Sequence, residues 1–159
     1  MDTTPAIIKL AIFAVGGQGG GVLSNWIVGV AEHNGYRVQA TSIAGVAQRT
    51  GATVYYIEMA ADTGRPPVFA LAPSAGDVDI LIAAEMMESG RAMVRGLVSP
   101  ERTTLITSTH RILAMSEKTA PGNGIVDRAP VLAAGRARAR RYIAFDMEQI
   151  AVAAGSVIS

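Results

Sequence analysis

One stretch limits the possible folds of this chain more than any other. Residues Ile7 to Val15 form an apolar run broken only by Lys9. Gly16-Gly17-Gln18-Gly19-Gly20-Gly21 follows, and then Val22, Leu23, Trp26, Ile27, Val30 and Ala31 recur at helical spacing, with Ser24, Asn25 and Glu32 on the other side. A run apolar on both faces is what a parallel strand covered by helices on each side requires. The helical period begins almost at once, so the backbone must reverse within a few residues, and glycine does this without a Cβ penalty. Strand, glycine turn and helix in this order aim the first free amides of the helix outward, which makes a ready anion site. Its candidate residues are Gly16, Gly17, Gln18, Gly19, Gly20 and Gly21.

The rest of the chain continues the alternation. The first helix spans Gly20 to His33 and stops at Asn34-Gly35, with Gly29 read as a close crossing over the sheet. Tyr36–Ser42 reads as a second strand, completing a βαβ unit with a right-handed crossover. Residues 42–51 read as a loop, Ala52–Ala60 as a third strand, and Val68–Leu71 as a short edge strand. Asp77–Ala84 is a buried-type strand and Glu85–Leu97 a helix with Met86, Met87, Ala92, Met93 and Val94 as inner candidates. Thr103–Thr107 reads as a strand, Arg111–Lys118 as a helix, and Pro130 opens a helix to about Arg140. Tyr142–Phe145 is a last strand, and Asp146 caps a closing helix, Met147–Ala154, with Glu148 in its first turn. This pattern predicts a single α/β domain over residues 1–159. Its architecture is Rossmann-like: a mostly parallel open sheet with helices on both faces. The sequence breaks off at Gly155-Ser156-Val157-Ile158-Ser159, which reads as a truncated domain.

Composition narrows the function classes. Half of the residues are apolar and only 17% are charged, so a packed core is expected rather than disorder. A net charge of +1 gives no field for nucleic acid. No run approaches the roughly 18 apolar residues of a membrane span, and no signal peptide opens the chain, so a cytoplasmic protein is the default. With no cysteine, thiolate-bound zinc, iron–sulfur clusters and cysteine nucleophiles are excluded within this sequence. The two histidines, His33 and His110, belong to no spaced ligand set, so no metal site is expected.

The glycine turn fails the two common nucleotide fingerprints. A dinucleotide loop needs glycines at i, i+2 and i+5 and an acid ending the second strand. Counting from Gly16 meets Gln18, counting from Gly17 ends at Val22, and the second strand closes Gln39-Ala40-Thr41-Ser42. A P-loop has lysine after its second fixed glycine; Gly16 and Gly21 have the spacing, but Val22 stands in that place. A phosphate or carboxylate held by backbone amides remains open, as does a purely architectural turn. Gln48-Arg49-Thr50-Gly51 is the second candidate, because it follows the second strand at the same sheet edge and Arg49 can grip a phosphate or carboxylate bidentately. A lone loop arginine also serves simply to tie its loop down. Other features read as structural. The run Arg136, Arg138, Arg140, Arg141 suits a solvated face, the methionines suit the core, and His110 suits a loop. Glu85 and Glu88 share a helix side without an evident partner. Gly-x-Ser-x-Gly is absent.

Two stretches together carry a resemblance. Ala14-Val15-Gly16-Gly17-Gln18-Gly19-Gly20-Gly21-Val22-Leu23, with Val46-Ala47-Gln48-Arg49-Thr50-Gly51 about thirty residues on, resembles the gamma domain of 2-oxoacid:ferredoxin oxidoreductases. The closest likeness is to the beta subunit of indolepyruvate ferredoxin oxidoreductase. Asp79 to Glu85 and Phe145 to Gly155 also fit, so the likeness covers nearly the whole chain. Thr50 where the family often has glycine, and the extra Gly21, are departures. The resemblance implies an accessory subunit, inactive alone, with no cofactor bound by this chain by itself. Its complex would decarboxylate a 2-oxoacid such as indolepyruvate to an acyl-CoA and pass electrons to ferredoxin. Thiamine diphosphate and iron–sulfur clusters would lie on a large partner subunit. The candidate site residues for coenzyme A or another phosphate group are then Gly16, Gly17, Gln18, Gly19, Gly20, Gly21, Gln48 and Arg49, with Gln18 facing Arg49. The alternatives are a stand-alone Rossmann-like module binding coenzyme A or NADPH, and an interaction domain; self-association into a homo-oligomer is compatible with all three.

Overall fold

The computed structural model describes residues 6–43, 52–113, 118–122 and 124–156. In chain order it comprises β1 (Ile8–Val15), α1 (Gly20–His33), β2 (Tyr36–Ile43), β3 (Ala52–Ala61), β4 (Ile80–Ala83), α2 (Met86–Val94), β5 (Thr104–Ser108), α3 (Ala129–Arg138), β6 (Arg141–Phe145) and α4 (Met147–Ala153). One sheet takes the strands in the order β2-β3-β1-β4-β5-β6. β1, β4, β5 and β6 run parallel to one another, while β3 is antiparallel to both β1 and β2. The expected α/β, mostly parallel sheet is present. The expected βαβ unit is modified: β2 runs in the direction of β1 but one place removed, with β3 between them. Residues 44–51 are too few for a crossover helix, so β3 has to return antiparallel.

Alternation along β1 assigns the two faces. Ala11 and Phe13 join Leu81, Leu105, Ala92 and Met93 in the larger core, against which Val131 and Ala134 of α3 pack. Leu10, Ile12 and Ile57 form the smaller core on the other face, beneath Leu23, Ile27 and Val28 of α1. α1 therefore covers one face and α2 with α3 the other. The reversal in winding falls between β1 and β4, the topological switch point of an open α/β sheet. Each fully buried Phe13, Ile12 or Leu81 side chain contributes about 1.5–3 kcal/mol.

Two readings of α1 need correction. Val22, Trp26 and Val30, expected on its inner side, are exposed and Ser24, expected on the outer side, is buried, because Leu23, Ile27 and Ala31 take the sheet-facing positions. Gly29 is not a close crossing, since a Cβ there would meet nothing within 4 Å. The close approach is made by Gly20, where a Cβ would lie 2.7 Å from both Ala14 Cβ and Tyr55 Cε2. The helix stop is as expected: Asn34 is the C-cap and Gly35 takes a φ of 77°.

At the amino edge of the sheet, side chains bind three elements together. Asp79 accepts from the Lys9 amide at 2.8 Å and from Arg102 Nε at 2.6 Å, and Asp77 pairs with Lys9 Nζ and Arg102. Burial opposes the Asp79 charge, but Arg102 and the Lys9 amide override it and hold the carboxyl below its ordinary range. Val68–Leu71 is an extended strap rather than a strand. It crosses the face of β2 and β3 that carries Glu58. The Ala70 amide donates to buried Glu58 at 2.7 Å, Gln39 donates to the Ala70 carbonyl, and Thr41 donates to the Leu71 carbonyl. Tyr56 donates to the same carboxylate, and burial together with Glu58 pushes its phenol far above the usual range.

Elsewhere the buried strand is shorter than expected, Ile80–Ala83. Arg111 to Leu113 are not helical, and residues 114–117 of the expected Arg111–Lys118 helix lie outside the described residues. Met86, Ala92 and Met93 are core residues and Asp146 caps α4 through Gln149 N, as expected, whereas Val94, expected on the inner side of α2, is exposed at the last residue of the helix. Among the described residues, no helix is long and apolar enough to cross a membrane. Gly20→Ala should lower stability by about 1–3 kcal/mol through overpacking against Ala14 and Tyr55. Denaturant titration measures this, and an unchanged midpoint would contradict the packing role.

Candidate functional site at the carboxyl edge of the sheet

The carboxyl ends of β1, β4, β5 and β6 carry the segments with free polar chemistry. After β1, Gly17 and Gly19 take φ values of 90° and 70°, a left-handed region that L side chains rarely adopt. Gly19 is the N-cap of α1 and supplies no side-chain cap, and no acid stands in the first turn. The first intrahelical bond is Leu23 N to Gly19 O at 2.9 Å. The amides of Gly20, Gly21 and Val22 precede it and have no intrahelical acceptor. At Gly16, Gly17 and Gly19 an added Cβ would meet nothing within 4 Å among the described residues.

Gln18 does something the sequence did not reveal. Its Oε1 accepts from the Val15 amide at 2.8 Å, and its Nε2 donates to the Ala84 carbonyl at 3.4 Å. The side chain therefore bridges the ends of β1 and β4 and fills the lower part of the switch-point crevice. A ligand at this edge would meet the backbone amides above it. Gln48 and Arg49 lie outside the described residues. The strands flanking them, β2 and β3, end and begin at the same edge as the glycine turn.

After β4 comes Glu85, which is buried and whose carboxylate caps α2 by accepting from Met87 N at 2.7 Å and Glu88 N at 3.2 Å. Its other oxygen accepts from Arg111 Nε at 3.1 Å and Ile112 N at 3.3 Å. Glu85 thus joins the exit of β4 to the exit of β5, and Arg111 is the partner that sequence reasoning did not find. The available signal was an arginine three residues past a buried strand. Glu88 is 3% exposed; Arg91 lies 3.3 Å from one oxygen, and the other has no hydrogen-bond partner. Burial pushes its carboxyl up; Arg91 opposes this, Glu85 adds to it and Arg95 opposes it. Arg95 itself lies over the Phe13 ring, 5.8 Å from the centroid. His110 pairs through Nε2 with Glu148, and Ser108 Oγ accepts from the amides of His110 and Met147 at 3.1 and 3.2 Å. Arg136 is exposed, as expected, and sits 6.0 Å from the centroid of the Tyr142 ring.

This edge can hold an anion on uncapped amides. Its charged side chains are mostly committed to one another. Among the described residues, no group of three histidine, aspartate or glutamate side chains could hold a metal ion.

Residues 9–159 match the family described as pyruvate ferredoxin/flavodoxin oxidoreductase. The chain belongs to this family. No curated protein sequence matches it. Among solved structures, it is similar to 2-oxoglutarate:ferredoxin oxidoreductase from Magnetococcus marinus, which has 2-oxoglutarate, coenzyme A and succinyl-CoA bound. The TM-score is 0.58 at 13% identity, over 98% of this chain and 22% of that one. It is also similar to the pyruvate oxidoreductase subunit PORC from Thermotoga maritima, with TM-score 0.58, 17% identity and coverage of 96% and 69%. The gamma subunit of a keto/oxoacid ferredoxin oxidoreductase from Geobacter sulfurreducens gives TM-score 0.53 and 14% identity over 96% and 69%. The chain thus spans under a quarter of the first of these relatives and about two thirds of the two separate subunits.

Glu85→Ala is expected to cost about 3 kcal/mol or more, because it removes a cap and half of a buried ion pair together. A calorimetric or denaturant ΔG close to wild type would refute this. Glu88 makes a pH prediction. Its folded-state pKa lies above its unfolded value, so the folded chain holds the extra proton between the two. The stabilisation is complete below the unfolded pKa and is lost as pH rises through the folded one. Glu88→Gln should flatten that part of the Tm-against-pH curve, and an unchanged slope would show that Glu88 is not its source.

Proposed function

We propose that this chain is the non-cluster subunit of a cytoplasmic 2-oxoacid:ferredoxin oxidoreductase acting on indolepyruvate or a related 2-oxoacid. The complex converts 2-oxoacid, coenzyme A and oxidised ferredoxin to acyl-CoA, carbon dioxide and reduced ferredoxin. A family match over residues 9–159 supports this reading. The uncapped glycine turn is the observation that gives this chain a part in the chemistry.

The residues can be tested against each group the reaction needs. With no cysteine, this sequence fits no thiolate-bound cluster. The described residues also offer no carboxylate set for the metal that anchors a diphosphate. Those groups are assigned to a large partner subunit. The phosphates of coenzyme A do fit the turn. Amides of Gly20, Gly21 and Val22 are free of a cap, and Gly16, Gly17 and Gly19 leave the approach clear. Gln18 acts as a positioning residue by fixing the turn to β4, and Arg49 adds a candidate phosphate contact.

The test is reconstitution with the large subunit and an assay of 2-oxoacid-dependent ferredoxin reduction. Activity should require both chains; full activity of the large subunit alone would overturn the reading. Gly16→Val then probes the turn, because a Cβ there meets nothing within 4 Å among the described residues. KM for coenzyme A should rise about tenfold or more while Tm is unchanged and kcat at saturation is little altered. An unchanged KM would make the turn architectural.

A further inference from the structure

Most cations of this chain are matched to acids. Lys9 and Arg102 meet Asp77 and Asp79, Arg37 meets Asp62, Arg91 meets Glu88, and Arg111 meets Glu85. One corner departs from this. Residues 128–141 hold five of the 14 lysine and arginine side chains and none of the 13 acids. Arg136, Arg138, Arg140 and Arg141 are all exposed, and among the described residues none of the four forms an ion pair.

The backbone of this corner is firmly held. It lies where α3 ends and β6 begins, at the amino edge of the sheet and on its outermost strand. Tyr142 packs against the helix at Gly135, where a Cβ would lie 2.5 Å from its Cε2, and Arg136 lies over the same ring. Arg141 is in register with Thr104, and its amide donates to the Thr103 carbonyl at 3.4 Å. Helix, ring and strand thus set four arginines on one frame.

Solvation alone does not ask for this arrangement. Solvated faces mix the two signs, because opposite charges one turn apart attract and like charges repel. The helix dipole accounts for Arg136 and Arg138 in the last turn of α3, but Arg140 and Arg141 lie beyond it. Glu101, which stands before β5 at the same edge, is engaged with Ser99 rather than with an arginine. The corner therefore carries a repulsion that an anionic partner relieves. It also lacks apolar anchors: between Arg128 and Ala144 no large apolar side chain is exposed. Permanent interfaces are built around an apolar core. A charged surface without one suits an encounter that is steered by the field and soon dissolves.

We propose that the corner formed by Arg136, Arg138, Arg140 and Arg141 is a docking surface for the electron carrier, a ferredoxin with an acidic surface. The proposal rests on the function proposed above. In that reaction the large subunit stays bound and the 2-oxoacid and coenzyme A are small molecules. The carrier is the one protein that must arrive and leave in every cycle. The family to which the chain belongs is described by such acceptors, ferredoxin or flavodoxin. Guanidinium forks take surface carboxylates bidentately, which orients the carrier as well as attracting it. The arginines capture and orient; the electrons pass from the cluster-bearing subunit and not through this chain. Because the four side chains are exposed, salt screens their attraction beyond about 8 Å at physiological ionic strength.

The experiment uses the complex of this chain with the large subunit, carrying Arg140→Glu and Arg141→Glu together. These two leave the last turn of α3 and the contact of Arg136 with Tyr142 intact. The control combines Lys118→Glu with Arg128→Glu, both exposed and the second at the opposite end of α3, for the same change in net charge. At low ionic strength the KM for an acidic ferredoxin should rise about tenfold or more in the test variant. The difference should close as salt is added. Assembly, KM for the 2-oxoacid and turnover with a small dye as acceptor should match wild type. An unchanged KM for ferredoxin in an active complex, or an equal rise in the control, would overturn the docking surface and leave the proposed function standing. Loss of assembly in the test variant would assign the corner to the large subunit and overturn the proposal. So would binding of the wild-type complex to phosphatidylserine vesicles that the variant abolishes while its KM for ferredoxin is unchanged, which would assign the corner to a membrane. A wild-type chain that confers no 2-oxoacid activity on the large subunit would overturn both the docking surface and the proposed function.

Discussion

The contact on which the rest of the arrangement depends is the one at Gly20. There the first turn of α1 lies so close to Ala14 and Tyr55 that no side chain can intervene. This proximity sets where the helix begins. Its start sets which amides remain without acceptors, and they emerge at the carboxyl edge of the sheet. Gln18 completes the arrangement from the other side by holding the end of β1 to the end of β4. The glycines of the turn therefore have different reasons to be glycine. Gly17 and Gly19 serve conformation, Gly20 serves packing, and Gly16 is required by neither.

The two edges of the sheet are built from different materials. At the amino edge, Lys9, Asp77, Asp79 and Arg102 neutralise one another and tie β1, β4 and the entry to β5. At the carboxyl edge, Glu85 and Arg111 perform a similar tie between the exits of β4 and β5, and Glu85 caps α2 as well. Partly buried ion pairs of this kind contribute modestly to net stability while being costly to break singly. Their main effect is to hold the strand ends in register, so that the amides of α1 are presented by a rigid frame.

Much of this was legible in the sequence, and what was not has a physical explanation. The strand, turn and helix at residues 7–33 could be read directly, because local conformational demands and hydrophobic period agree there. The placement of β3 could not, since a strand's apolar pattern states how many faces are buried and not which strands lie beside it. The outward orientation of Val22, Trp26 and Val30 was hidden for a related reason. A wide apolar arc on a helix does not say which part meets the sheet. Gln18 was legible as a polar residue in a telling place, but its acceptor and donor both went to the chain's own backbone. Glu85 and Arg111 are 26 residues apart, and no local rule connects them.

The strap over β2 and β3 has a consequence for how such a chain can change. Elsewhere on that face helices provide the cover, and their length is tied to the strands they connect. The strap is held by Glu58, Gln39 and Thr41, side chains that belong to the strands beneath it. Its own sequence carries little of the responsibility for its position. The exposed turns on either side, marked by Gly64 and Gly76 in left-handed conformations, are therefore free to vary in length. Residues can be gained or lost there without moving a strand, which makes this corner the part of the fold best suited to divergence between relatives.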